Sequence, residues 1–195
     1  MKTCVRLLTI VSLALGISLV EARIDAQVAV TSVTTTVSGG VKISEFQQAV
    51  SNYSRVPTRD VAQVRDRQVR DDELPVVMFI AQRASVAPGS VVDLRQRGFS
   101  WWDISTRYRL GAEAYYVRVA GNPAAPYDRA YSYYQRPRDQ WNTIVLADAD
   151  IVNLVHLRFL TEHYHVSPQK VIELRAHSAD FVAVHREVSS GRGGL

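Results

Sequence analysis

The chain has 195 residues, 47% of them hydrophobic and 22% charged, with a formal net charge of +4. This composition excludes a disordered chain, which has too little apolar surface to fold, and a polytopic membrane protein, which has far more. The charge is too mild for a nucleic-acid or anionic-lipid surface, and the arginines are interleaved with acids, as in Arg65-Asp66-Arg67, so they read as solvated faces.

Lys2 and Arg6 form a basic start, Leu7 to Val20 is an apolar run of 14 residues, and Val20-Glu21-Ala22 offers a cleavage site before Arg23. A spanning helix needs roughly 20 apolar residues, so residues 1–22 read as a secretory signal peptide. Retention as an anchor and a cut after Ala26 are the alternatives. The expected location is periplasmic or extracellular, with the membrane met only through the signal. Cys4 is the one cysteine and leaves with this segment, so the mature 173 residues hold no thiol for disulfide, catalysis or metal. Stability then rests on a buried core.

Residues 23–43 are rich in Val and Thr and contain a polar run ending in Ser38-Gly39-Gly40, a β-prone or disordered leader. A helical domain is expected over 44–195. Ser44 with Gln47 three residues on forms a capping-box pattern, and Phe46, Ala49, Val50 and Tyr53 share one helical face. Val56-Pro57 ends that helix, and Thr58 is placed to cap a short one carrying Val61, Val64 and Val69.

At an offset of 80 residues the chain resembles itself. Leu74, Phe79, Val86, Pro88, Val91, Leu94 and Arg95 recur as Leu154, Phe159, Val166, Pro168, Val171, Leu174 and Arg175, and Trp101 and Ile104 are matched in kind by Phe181 and Val184. The expectation is a mainly α fold of two pseudo-repeated three-helix units, about 73–110 and 149–189. Each has an apolar helix, a Val-x-Pro turn into a second helix, and a third helix capped by Ser100 or Asp180, with Gly98 stopping the second helix of the first unit. The aromatic connector 111–147 holds six of the nine tyrosines, and within it Tyr115–Val119 and Thr143–Leu146 are possible short strands.

The stretches Leu74-Pro75-Val76-Val77-Met78-Phe79-Ile80-Ala81, Gly98-Phe99-Ser100-Trp101-Trp102-Asp103-Ile104-Ser105, Pro126-Tyr127-Asp128-Arg129-Ala130-Tyr131 and Asp148-Ala149-Asp150-Ile151-Val152-Asn153-Leu154 resemble a group of secreted bacterial helical proteins without known activity. The resemblance covers about residues 73–188. It implies a bacterial envelope location and a helical architecture, and it brings no catalytic residues. That group is richer in glycine where this chain has Asp128 and Ser132.

No constellation names a reaction. The five histidines, His156, His163, His165, His177 and His185, all fall in the second unit, but His156 and His163 lie about 10 Å apart along a helix, too far for one ion. His156 is expected to be semi-buried and His163, His165 and His177 solvated. Asp148-Ala149-Asp150 lacks the central glycine of a calcium loop and reads as a helix start, with Asp148 as its N-cap. No cofactor pattern is present. The helix-turn-helix likeness of Ala81–Val86 and Thr161–Val166 is a minor alternative, weakened by a poor base-reading set and by export.

The remaining binding candidates are Tyr127, Tyr131, Tyr134, Trp141 and Trp102, because flat amphipathic rings suit contact with an envelope protein or a cell-wall glycan. The competing expectation is that these rings clamp the two units together. The function expected is a non-catalytic exported binding protein. The rival is an envelope hydrolase whose acids, such as Asp103, Asp128 and Asp148, converge only in the fold.

Overall fold

A computed structural model of the protein describes residues 36–38 and 41–191. The signal peptide expected at 1–22 and most of the leader lie outside the described residues. The fold is mainly helical. A short antiparallel ribbon, β1 (Thr36–Ser38) and β2 (Val41–Ile43), pairs Thr36 with Ile43 and Ser38 with Val41 and leads into the helices.

The first helix, α1 (Glu45–Ser54), starts as the sequence implies. Gln47 N donates to Ser44 Oγ at 3.2 Å and Ser44 N donates to Gln47 Oε1 at 3.1 Å, while Phe46, Ala49 and Val50 are buried. The second, α2 (Thr58–Asp66), differs from expectation. Pro57 is its N-cap and Thr58 its first residue, without a side-chain cap, and Val69 is buried beyond its end. Proline already fixes the φ that a helix start requires, so no hydroxyl is needed there.

Two runs of three helices follow. The first is α3 (Leu74–Ala84), α4 (Pro88–Gln96) and α5 (Trp101–Arg107). Helix α6 (Asp128–Tyr134) intervenes, and the second run is α7 (Asp148–Tyr164), α8 (Pro168–His177) and α9 (Phe181–Ser189). Every residue of α3 from Leu74 to Ala81 is buried, so this helix is covered on all sides and forms the axis of the core against α1, α4 and α7. Both apolar helices end on a residue in the left-handed region, Ser85 at φ 56° and His165 at φ 55°. The sequence hides this stop, because glycine is the usual occupant. Among the described residues no helix is long and apolar enough to cross a membrane.

The third-helix caps form as expected. Asp103 N donates to Ser100 Oγ at 3.0 Å, and Val182 N donates to Asp180 Oδ1 at 2.8 Å. Gly98 sits at φ 88° at the end of α4. Asp148 does not cap its own helix: Ala147 is the N-cap, and Ala147 N donates back to Asp150 Oδ2 at 3.1 Å. Leu174 is only partly buried, unlike its counterpart Leu94.

The connector carries no strand. Residues 112–114 form a single 3-10 turn, 138–143 a two-turn 3-10 helix, and 128–134 is α6. The backbone that a neighbouring strand would satisfy is taken by side chains instead. Tyr131 Oη donates to the Val117 carbonyl at 2.6 Å and Arg158 Nη2 donates to the Tyr116 carbonyl at 2.6 Å. The buried face of α6 is made by Tyr127, Ala130, Tyr131 and Tyr134 at i, i+3, i+4 and i+7, a helical period that the flanking prolines mask in the sequence.

Candidate functional site

The rings proposed as a contact surface turn inward. Tyr127, Tyr131, Tyr134 and Trp141 are all buried, and only Trp102 is partly exposed. Tyr134 Oη donates to the Ala112 carbonyl at 2.7 Å, Trp141 Nε1 donates to the Arg136 carbonyl at 2.9 Å, and the two rings meet edge to face at 4.9 Å. Tyr116 leans on Trp141 at 4.8 Å, and Arg138 covers the indole from outside at 4.8 Å. These rings hold the connector to itself, and Tyr115 ties it to α3 through Phe79 at 5.1 Å. Burial pushes the phenols of Tyr131 and Tyr134 well above the usual tyrosine range, so they act as hydrogen-bond donors.

The acids do not gather. Asp103 is held in the α5 cap and lines a shallow recess with Phe99, Thr106 and Arg107, and Asp128 is exposed in the first turn of α6. Asp148 belongs elsewhere. Among the described residues no group of three or more histidine, cysteine or acidic side chains could hold a metal ion. His156 is more deeply placed than its sequence implies. It is wholly buried, donates from Nε2 to the Asp72 carbonyl at 2.8 Å, and lies between Phe46 and Phe181. Desolvation lowers its pKa to about 4.

What the fold does assemble is a recess of about 250 Å³ lined by Arg95, Trp101, Asp148, Asn153, Arg175 and Phe181 among others. Similar groups reach it from the two runs of three helices. An arginine in the last turn of the second helix lies over the aromatic that opens the third. Arg95 lies 4.4 Å from the Trp101 ring centre and Arg175 lies 4.3 Å from that of Phe181. Each guanidinium also holds the turn between those helices, Arg95 Nη1 donating to the Phe99 carbonyl at 3.2 Å and Arg175 Nη1 to the Ser178 carbonyl at 2.6 Å.

The two arginines then part company. Arg95 is saturated: Nε and Nη2 donate to Glu73 Oε1 at 3.2 and 2.8 Å, and Nη1 donates to Asp148 Oδ2 at 2.7 Å. Asp148 Oδ1 in turn accepts Trp101 N at 2.7 Å, closing the start of α5. The position matching Glu73 in the second run is Asn153. Among the described residues Arg175 has no carboxylate within ion-pair distance, and its Nε is buried without a partner. Trp101 Nε1 and the Tyr127 hydroxyl are likewise buried and unpaired. The Arg175 charge is close enough to Tyr127 to oppose the burial that raises its pKa.

None of Glu73, Arg95, Asn153 or Arg175 stands out as a site from sequence. One signal existed, since Arg95 and Arg175 are identical across the offset at a position where a merely solvated residue is free to drift. No protein-family model, curated protein or solved structure matches the chain.

Proposed function

We propose that this is an exported, non-catalytic binding protein made of two pseudo-repeated three-helix units, and that it binds an envelope protein or a cell-wall polymer. The repeat is supported by Pro88 and Pro168 at the first positions of α4 and α8, by the left-handed stops at Ser85 and His165, and by burial at Phe79 and Phe159, Trp101 and Phe181, and Ile104 and Val184. The binding role is carried by one observation. The recess where the two arginine-aromatic pairs come together holds donors without acceptors, whereas Glu73, Asp148 and Asp72 are each tied to an arginine. Carboxylates neutralised in this way are poor acids and poor nucleophiles, which favours holding a ligand over hydrolysing one. A recess of about 250 Å³ admits the end of a polymer or a short side group, and not a whole glycan ring system.

The test has two arms. Expressed from Met1 in a Gram-negative host, the protein should appear in the periplasm beginning at Arg23 or a near neighbour; cytosolic protein with Met1 intact overturns export. The purified mature protein should co-sediment with isolated cell-wall sacculi or cross-link to a defined envelope protein. Neither outcome occurring overturns the binding role.

A further inference from the structure

We propose that the recess beside Arg175 binds a single carboxylate carried on a short aliphatic or peptide stem. The inference rests on the binding reading above in taking this recess as a ligand site, and it goes further in naming what fills it.

The argument starts from the difference between two equivalent arginines. Arg95 shows what this local architecture does with a guanidinium: its Nε and Nη2 edge grips one carboxylate, Glu73, while Nη1 turns to the following backbone and to Asp148. Arg175 keeps the aromatic support of Phe181 and the backbone bond to Ser178, so its plane and direction are set in the same way. Its Nε is buried with no acceptor, and among the described residues no hydrogen bond is made by Nη2. That edge presents two parallel N–H bonds spaced for the two oxygens of one carboxylate, the geometry in which arginine outperforms lysine. Asn153, the sequence counterpart of Glu73, lines the same recess, and its neutral amide supplies no internal carboxylate.

A second observation points to the same ligand independently. Trp101 is wholly buried, lines the recess, and has an Nε1–H without an acceptor. A buried unpaired donor is costly in a folded protein, and one that lines an open recess can be answered by a ligand's acceptor. Arg175 Nε and Trp101 Nε1 are both donors, and the Asn153 amide offers an N–H as well as a carbonyl, so the group that answers the two unpaired donors is an acceptor and, beside a guanidinium with no carboxylate paired to it, an anion. The other charges lining the recess are already bonded to one another, Arg70 to Asp72 and Arg95 to both Glu73 and Asp148, a set with one surplus negative charge held on Arg95 and not on Arg175. A recess of about 250 Å³ equals roughly eight waters, room for a carboxylate and a few more heavy atoms. Two sources supply such a group, a free short-chain acid and the C-terminus of a peptide.

The full mature chain should be titrated by calorimetry, with tryptophan fluorescence as a second readout because Trp101 lines the site. The probes are acetate, acetyl-Ala-Ala, the C-terminal amide of acetyl-Ala-Ala, and inorganic phosphate. Acetate or acetyl-Ala-Ala should bind saturably at one site, and the amide should bind on the order of tenfold more weakly or worse, as loss of a bidentate charged pair requires. Tighter binding of acetyl-Ala-Ala than of acetate assigns the peptide source, and equal binding the free acid. Phosphate binding as tightly as the best carboxylate, or no carboxylate binding at all, overturns the inference.

Asn153→Asp supplies Arg175 with an internal carboxylate, as Glu73 does for Arg95, and should abolish carboxylate binding while the thermal melt is unchanged or raised. Arg175→Lys keeps the charge without the fork and should weaken binding by a similar factor; it stands as the second variant if Asn153→Asp folds poorly. Wild-type affinity in either folded variant overturns the placement. Sacculus or partner binding that persists while no carboxylate binds sinks this inference alone. Carboxylate binding without any sacculus or partner binding leaves the inference standing and removes the envelope role.

Discussion

The imidazole of His156 lies flat on the ring of Phe181, with centroids 3.7 Å apart and planes 11° apart. Phe46 stacks on the same imidazole at 6.0 Å, so three helices, α1, α7 and α9, meet at one histidine. His185 stands near it, edge to face with Phe46 at 5.2 Å and bonded to the Tyr164 hydroxyl at 2.6 Å.

This arrangement makes stability depend on pH. Burial lowers the folded-state pKa of His156 to about 4 from 6.5 in the open chain, and His185 moves to about 4 for the same first reason. Above pH 6.5 both forms are neutral and the stability is fully present. As pH falls towards 4 the unfolded chain takes up protons that the folded core refuses, and stability declines, by about 3 kcal/mol for His156 alone. Denaturant titrations at pH 7.5, 6, 5 and 4 should show this fall, and His156→Leu should remove close to one proton from the slope. A flat profile in the wild type contradicts the buried pair.

The aromatic connector is expected to answer to stability measurements. Trp141→Ala empties a site where the indole meets Tyr116 and Tyr134, and should cost about 3–5 kcal/mol. Tyr134→Phe leaves the Ala112 carbonyl without its donor and should cost about 1–2 kcal/mol. Chemical denaturation checks both; variants as stable as wild type would return the rings to the surface role first expected of them.

Leu154 and Leu174 match Leu74 and Leu94 across the 80-residue offset, yet Leu154 is fully buried and Leu174 only partly so. Leu154→Ala should therefore cost about 3–5 kcal/mol, and Leu174→Ala only about 1 kcal/mol, because an open site refills with water and not with a void. Equal losses measured by urea titration would contradict this division.

Arg95→Met should cost about 2 kcal/mol, since it leaves Glu73, whose side chain is 12% exposed, with only the distant Arg70 Nε at 3.9 Å and no hydrogen-bonded cation. The double variant Arg95→Met with Glu73→Leu should recover much of that loss. A thermal melt series distinguishes this from simple loss of bulk, for which the second substitution would make matters worse.

Local signals in the chain proved dependable where the physics is local. The Ser44 and Gln47 box, the Ser100 and Asp180 caps, and the prolines opening α4 and α8 all depend on residues within three or four positions. The α3 and α7 stops were not legible, because Ser85 and His165 adopt a left-handed backbone that tertiary packing enforces without glycine. Reading 111–147 as a loop with strands failed because turn residues around Pro126 and Pro137 masked a two-turn helix whose face is built of tyrosine. The recess was hidden for another reason. Arg95 and Asp148 are 53 residues apart, and nothing in either neighbourhood announces the other.

Asp148 closes the start of α5 from 47 residues further along the chain. A ribosome or a translocation channel delivers that chain from its N-terminus, so α5 emerges with Trp101 N still unanswered and waits for α7 before it is complete. Phe46 waits longer, since its partners His156 and His185 come more than 100 residues later. The early helices therefore lack these particular contacts until the late ones arrive. The last three helices bring the contacts that complete the first ones.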